Sequence, residues 1–356
     1  MPSTCDGVAE LERLIQIVPE LAPEIGGVAG YAELLARALV PHGFETLFLA
    51  PSKPGRANRQ DLLQVEPRPG ALAAALRQAA AERRPHAMVL HYVGYGFDRR
   101  GCPGWLVRGL ERAGATPPLL AIFHETWVSG PPWTHRFWLL PRQQDLVRRL
   151  ARLSRQCVAT TRAAGAALRD LVPEAAARTS VLPTPSTLGE PARSTWPRER
   201  QPQVVVLGLP AVRNRVYTAG REALLRFCKK ARIEAVHDVG PPIAGAPPAL
   251  AGLPVQVHGA LPAAEVGRFL LESRVLAVHY PRAAAAKSTL VAAGMASGCA
   301  VLNCAETEPP DDGVSLWRPA TWDGSDWRQA ADEAYELYCS RRSWRLVASE
   351  LALTLR

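Results

Sequence analysis

Lys287, Ser288 and Thr289 stand in a row at the head of an apolar stretch, AAAAKSTLVAAGMASGCAVLN over 283–303. A lysine, two hydroxyls and the unpaired N–H groups of a helix start favour an anion, a phosphate above all. The P-loop of nucleotide-hydrolysing proteins is disfavoured, because that turn needs glycines where this chain has Pro281 and Ala286. The competing account is a plain N-cap, with Ser288 or Thr289 satisfying backbone donors and Lys287 in solvent. A second candidate for phosphate contact is the pair Gly26 and Gly27, where missing side chains let a ligand approach the backbone. A dinucleotide fingerprint is not met there. Its first glycine would fall on Ile25, and the second strand ends in Ala50-Pro51-Ser52-Lys53 with no carboxylate.

Two histidines close strand-like runs: His124 in PLLAIFH and His91 in HAMVLHYV. Neither has a second ligand at metal spacing, so no metal site is expected. Downstream, HETWVSGPPWTHRFWLL places Trp127, Trp133 and Trp138 beside His124. Such rings stack on a sugar or sit at a lipid interface, where Arg136, Arg142 and the later RRLARLSR would attract anionic lipid; ordinary packing of a long loop is the alternative.

These residues need elements to hold them. A chain of 356 residues fits two domains of ordinary size. LERLIQIV, FETLFLA, HAMVLHYV, PLLAIFH and QCVATT read as buried strands, with helical stretches such as VAGYAELLARALVPHG and GALAAALRQAAAERR between them. The segment 183–203 is crowded with Pro, Ser, Thr and charge and reads as a linker. Beyond it VVVLG, IEAVHDVG, VQVHG, VLAVHY and AVLNC alternate with helical AGREALLRFCKKA and AAEVGRFLLES. Alternating strands and helices predict an α/β fold with two doubly wound parallel sheets. The expected boundaries are a first domain over 1–187, a linker over 188–203, a second domain over 204–330 and a helical segment over 331–356.

The net charge of +9 is carried by scattered arginines rather than by a basic arm or a basic and aromatic stripe, so nucleic acid is not an expected partner. Seven scattered cysteines, Cys5 among them, never form C-x-x-C and suggest reduced thiols. The N-terminus lacks a secretory pattern and no long uncharged apolar run occurs, so a soluble cytoplasmic protein is expected.

The ordered series of motifs resembles the retaining GT-B glycosyltransferases of family four. PEIGGVAGYAELLARALVPHGFETLFLAP is similar to the family's opening Gly-Gly loop, helix and Gly-bounded strand. LLAIFHET resembles the strand that ends in a histidine near the transferred sugar. SVLPTPST falls where the family's first domain ends, and VHGALPAAEVGRFLLESRVLAVHYP precedes its donor site. Gly294-Met295-Ala296-Ser297-Gly298 matches the A-M-A-x-G helix end.

The resemblance implies GT-B architecture, two Rossmann-like domains facing a central cleft. It implies a hexosyltransferase of glycan or glycolipid assembly, metal-independent and retaining, with no tightly bound cofactor. Its partners would be a sugar nucleotide as co-substrate and a glycan or lipid-linked acceptor; the tryptophans and arginines named above, not the resemblance, suggest peripheral contact at the inner face of the membrane. By the same resemblance His124 lies near the transferred sugar. Gly26, Gly27, Arg213, Arg215, Lys287 and Ser288 bind the donor phosphates, while Trp127, Trp133, Trp138 and His91 are acceptor candidates.

The chain also departs from the family. Two glutamates eight positions apart, the first near the donor sugar and the second on the ribose, are replaced by Ala285 and Ala293. The usual arginine and lysine of the second domain are replaced by the Arg213 and Arg215 of GLPAVRNRVY. A non-catalytic binding or scaffold protein with a degenerate donor site is therefore the alternative, and a nucleotide-sugar epimerase a further one.

Overall fold

The computed structural model describes residues 11–21, 27–53, 59–114, 117–245, 248–305, 308 and 312–356. The chain divides into two compact units, residues 1–182 with 347–356, and residues 183–346.

The strands of the first unit are β1 (Glu12–Ile17), β2 (Phe44–Pro51), β3 (Leu62–Val65), β4 (Ala87–Tyr92), β5 (Leu119–Phe123), β6 (Gln156–Ala159) and β7 (Thr179–Val181). Its helices are α1 (Gly27–Leu39), α2 (Pro69–Arg83), α3 (Gly94–Phe97), α4 (Gly104–Ala113), α5 (His135–Leu153) and α6 (Arg162–Leu171). Among the described residues the strands form one parallel sheet in the order β3-β2-β1-β4-β5-β6-β7. Ile17 pairs with Leu49 of β2 on one side and Leu90 of β4 on the other. The order reverses between β1 and β4, so the chain winds outward from that pair in both directions. Parallel pairing needs long crossovers, and the helices supply them.

The second unit holds β8 (Gln201–Leu207), β9 (Ala235–Val239), β10 (Val255–Gly259), β11 (Ser273–Val278), β12 (Ala300–Asn303) and β13 (Arg318–Pro319). Its helices are α7 (Pro210–Tyr217), α8 (Arg221–Lys230), α9 (Ala263–Glu272), α10 (Thr289–Ala296) and α11 (Trp327–Arg341); α12 (Trp344–Leu355) starts in this unit and ends in the first. The sheet is parallel in the order β10-β9-β8-β11-β12-β13 and reverses between β8 and β11.

Continuous apolar runs feed two cores at once, because successive strand residues point to opposite faces. Val204, Val206, Val275 and Ala277 enter one cluster with Phe227 and Leu224. Their immediate neighbours Val205, Leu207, Leu276 and Val278 enter the other, with α10 and Trp317. This is why VVVLG and VLAV show no polar alternation.

Residues 188–200 are not an extended tether. Trp196 packs against Tyr335 with ring centroids 4.7 Å apart, and buried Arg200 donates to the carbonyls of Leu270, Ser273 and Ser297. Glu190 accepts from the Tyr338 hydroxyl at 2.6 Å. The polar composition that suggests a linker is spent on hydrogen bonds to this unit. At the other end of the chain, the Leu355 carbonyl meets His86 Nε2 at 2.8 Å within the first unit.

Candidate functional site

In parallel α/β sheets ligands gather beyond the carboxyl ends of the strands where the strand order reverses. In the first unit that place lies at the ends of β1 and β4, and a line of polar side chains leads to it through buried Gln16 and His91. Thr46 Oγ1 accepts from Gln16 Nε2 at 3.0 Å, Gln16 Oε1 meets His91 Nε2 at 2.8 Å, and His91 Nδ1 meets His124 Nε2 at 3.2 Å. The line crosses β2, β1 and β4 and ends just past β5. Gln16 and His91 have no exposed surface, whereas His124 keeps part of its surface open.

Tyr31 of α1 stands edge-on to both rings, 4.7 Å from His124 and 5.7 Å from His91. The two imidazoles lie nearly parallel, with 14° between planes. Burial holds His124 near a pKa of about 4; for His91, burial and then the neighbouring His124 push it well below the usual histidine range. Both rings are therefore neutral near pH 7.

His124 thus ends a strand at a switch-point edge, as its sequence position predicts. His91 is corrected: it is buried behind His124 and cannot touch an acceptor. Gln16 went unnoticed in sequence, since one glutamine inside an apolar strand looks like an ordinary outward-facing residue. Gly26 lies outside the described residues. Gly27 opens α1, and a side chain at that position would meet nothing within 4 Å. Trp127 is half-buried against the core of the first unit, which favours packing over a ligand role. Trp133 and Trp138 are 83% and 73% exposed, with Phe137 edge-on to Trp138 and Arg136 and Arg142 also exposed.

In the second unit, Ser288 caps α10: its hydroxyl accepts from the Val291 N–H at 3.2 Å. This is the plain N-cap that the sequence offers as one account, and a capped helix start still leaves first-turn N–H groups and a positive dipole end. Lys287 beside it is exposed. Tyr280, just past β11, is half-buried; burial raises its phenol above the usual range, while a hydrogen bond with Ser288 and the charge of Arg215 pull it back down. The structure therefore gathers exposed Arg215 and Lys287 with half-buried Tyr280 and buried Ser288 around the start of α10. Leu290 of α10 reaches Gly208 at the end of β8: a side chain on that glycine, whose φ is +124°, would approach it to 2.8 Å.

Two supports of this corner were missed in sequence. Asn303, buried at the end of β12, grips the Tyr280 backbone by accepting its N–H at 3.0 Å and donating to its carbonyl at 2.9 Å. Arg342, wholly buried, donates to the carbonyls of Ala286 and Ser288, both at 2.9 Å, to Ser315 Oγ at 2.9 Å and to the Thr184 carbonyl. Burial lowers its pKa to about 10, so it stays a cation at neutral pH. Signals for such contacts, 54 residues distant in the chain for Ser288, do not exist in local sequence.

Arg213 is also corrected. It is 1% exposed, and its guanidinium is turned inward onto Asp238 and the carbonyls of Gly208 and Pro241, so burial keeps it from a phosphate. Ala285 and Ala293 are fully buried in the apolar cluster around α10. The described residues contain no cluster of three or more His, Cys, Asp and Glu arranged for a metal ion, and no helix long and apolar enough to cross a membrane.

Comparison with known proteins places this geometry. Residues 25–186 match the model of Glycosyltransferase Family 4. No curated protein matches in sequence. Among solved structures, the chain is similar to an alpha-glucosyltransferase in complex with UDP, at TM-score 0.61 and 11% identity over 97% of this chain and 99% of that one. It is also similar to an alpha-glucosyltransferase in complex with UDP and a DNA containing an HMU base, at TM-score 0.60 and 12% identity over 97% of this chain and 99% of that one. WaaG, a glycosyltransferase involved in lipopolysaccharide biosynthesis, gives TM-score 0.57 and 12% identity over 96% and 99% of the two chains. A glycosyltransferase from Rickettsia africae gives 0.56 and 11% over 97% and 98%. At such identities the likeness shows the fold, and that fold is GT-B. The family-four resemblance is carried by the sequence of the first unit and by the α/β fold of both.

Proposed function

We propose that this GT-B chain, whose first unit carries the family-four glycosyltransferase signature, transfers a hexose from a nucleoside-diphosphate sugar to a glycan or lipid-linked acceptor. The observation that carries the reading is the capped start of α10 at the β8–β11 reversal, with Lys287 and Arg215 exposed around it and no acidic side chain in its first turn. As the sugar–phosphate bond breaks, negative charge grows on the leaving diphosphate. Fixed cations and helix-start N–H donors at that place stabilise it more than the intact donor. In the second unit Lys287 and Arg215 take the diphosphate; for the first unit the family resemblance assigns neutral His124 to the transferred sugar and the backbone at Gly27 to a phosphate. Retention of configuration and independence of metal follow the family resemblance, as does a co-substrate rather than a resident cofactor.

On the acceptor side, Trp133, Phe137 and Trp138 stand exposed among Arg136 and Arg142. Aromatic rings with neighbouring cations suit the headgroup region of an anionic membrane, so a lipid-linked acceptor at the cytoplasmic face is favoured over DNA. A non-catalytic reading keeps one specific support: Ala285 and Ala293 leave no carboxylate at the sugar and ribose positions.

Titration of the purified protein with UDP, GDP, ADP and NAD, repeated with Lys287→Ala, separates the two. Saturable binding of one nucleoside diphosphate, weakened about tenfold or more in the variant, is expected; its sugar donor is then offered lipid-linked, free glycan and DNA acceptors. No binding by folded protein favours the non-catalytic reading.

A further inference from the structure

The buried line from Thr46 to His124 has a direction. A carboxamide nitrogen only donates and its oxygen only accepts. Gln16 Nε2 is directed at Thr46 Oγ1 and Gln16 Oε1 at His91, so His91 Nε2 must carry a proton. A neutral imidazole has one N–H, so His91 Nδ1 is then bare and accepts. The atom facing it, His124 Nε2, must donate. That leaves His124 Nδ1 as a lone pair, and among the described residues no protein group hydrogen-bonds to it. Tyr31, edge-on to both rings, holds the imidazole planes in place.

We infer that Gln16 and His91 are positioning residues that fix the tautomer of His124, making its open Nδ1 an acceptor selective for a hydroxyl-bearing, uncharged ligand group. A phosphate or carboxylate oxygen brought to that lone pair meets repulsion and no proton, whereas a sugar hydroxyl donates to it. A sole acceptor set in a buried network discriminates strongly, because a ligand lacking the hydroxyl leaves it unpaired. Identifying that hydroxyl as one on the transferred hexose rests on the proposed function; the tautomer does not.

The test is a long-range proton–nitrogen correlation spectrum of full-length protein labelled with nitrogen-15 histidine at neutral pH. His124 is assigned by its loss in His124→Asn and His91 by its loss in His91→Asn. Both rings are expected to be neutral with the proton on Nε2. Gln16→Glu, whose carboxylate still accepts from His91, should keep that pattern. Gln16→Leu removes the acceptor and should bring in a second His124 tautomer. UDP-glucose should shift the His124 Nδ1 signal, and UDP alone should not.

A proton on His124 Nδ1 in the unaltered protein, or a charged ring, overturns the inference without reference to any variant. An unchanged tautomer pattern in folded Gln16→Leu also overturns it. If His124 carries Nε2–H as described but the protein binds neither UDP nor UDP-glucose nor any other nucleotide sugar, the tautomer assignment stands and the hexosyltransferase reading falls.

Discussion

Arg213 and Arg215 lie two positions apart in the same short helix and differ in everything that matters for function. Arg213 turns inward, where Asp238 and two carbonyls surround it; Arg215 turns out to solvent. Removing one member of a buried ion pair leaves the other charge without compensation, at a cost of about 3–5 kcal/mol. Arg213→Met should therefore lower the urea midpoint sharply, while Lys287→Ala should leave it within experimental error and weaken nucleotide binding. An Arg213→Met variant as stable as the parent would remove the structural assignment. At this scale a sequence names residue types and little else. Two arginines in GLPAVRNRVY are alike until the 25-residue separation from Asp238 is closed by folding.

At the scale of elements, α10 sits directly on its sheet. A side chain added at Gly294 would approach Leu276 to 2.8 Å and Val301 to 3.0 Å. Two residues past the helix end stands Gly298, whose φ of +63° suits glycine, and the Trp196 ring lies where any side chain there would go. Residues 291–296 are buried throughout, so the helix has no wet face on which to carry a carboxylate. Restoring an acid by Ala293→Glu should not rescue donor binding. It should bury a carboxyl group without a partner, raise its pKa and destabilise the unit by several kcal/mol. Thermal unfolding and nucleotide titration of that variant check this, and a stable variant with tighter binding would show that α10 can shift to accommodate the acid. The existence of α10 was legible from its helical apolar run and its Ser288 cap. The burial of residues 291–296 was not, since the partners come from β11, β12 and α11.

At the scale of the molecule, stability should depend on pH through the first unit. His124 titrates near 6.5 when unfolded but near 4 when folded, and His91 is displaced the same way. Between those limits the unfolded chain binds more protons, so stability rises with pH there. The contribution is fully present above the unfolded value and is lost as pH falls from about 6.5 towards 4. Allowing for the part of His124 that stays open to water, this amounts to about 2 kcal/mol from His124. Urea midpoints at pH 7.5, 6.0 and 5.0 should decline in that order, and His124→Asn should flatten the decline. Equal midpoints at all three would mean the rings are not held neutral by burial. The lowered carboxylates, Asp61 and Glu111 among them, add their own loss only at more acid pH.

The amino-acid sequence determined what depends on near neighbours along the chain. Runs such as LERLIQIV and VVVLG demand burial on two sides, the glycine-bounded helices demand crossovers, and together these specify two parallel sheets. It also placed His124 at a strand end and Lys287 at a helix start, because strand ends and caps are local events. The short pairings of Leu62–Val65, Thr179–Val181 and Arg318–Pro319 carry too few residues for a period to show, so only their neighbours in the sheet make them strands. Tertiary structure alone decided which polar groups meet. His91 retreats behind His124 because β4 and β5 are adjacent, and Gln16 gains a role because β1 lies on the other side of β4. Arg342 reaches the turn before α10 because α11 lies against it. A buried donor must find an acceptor, and the chain supplies that acceptor from wherever the fold brings it.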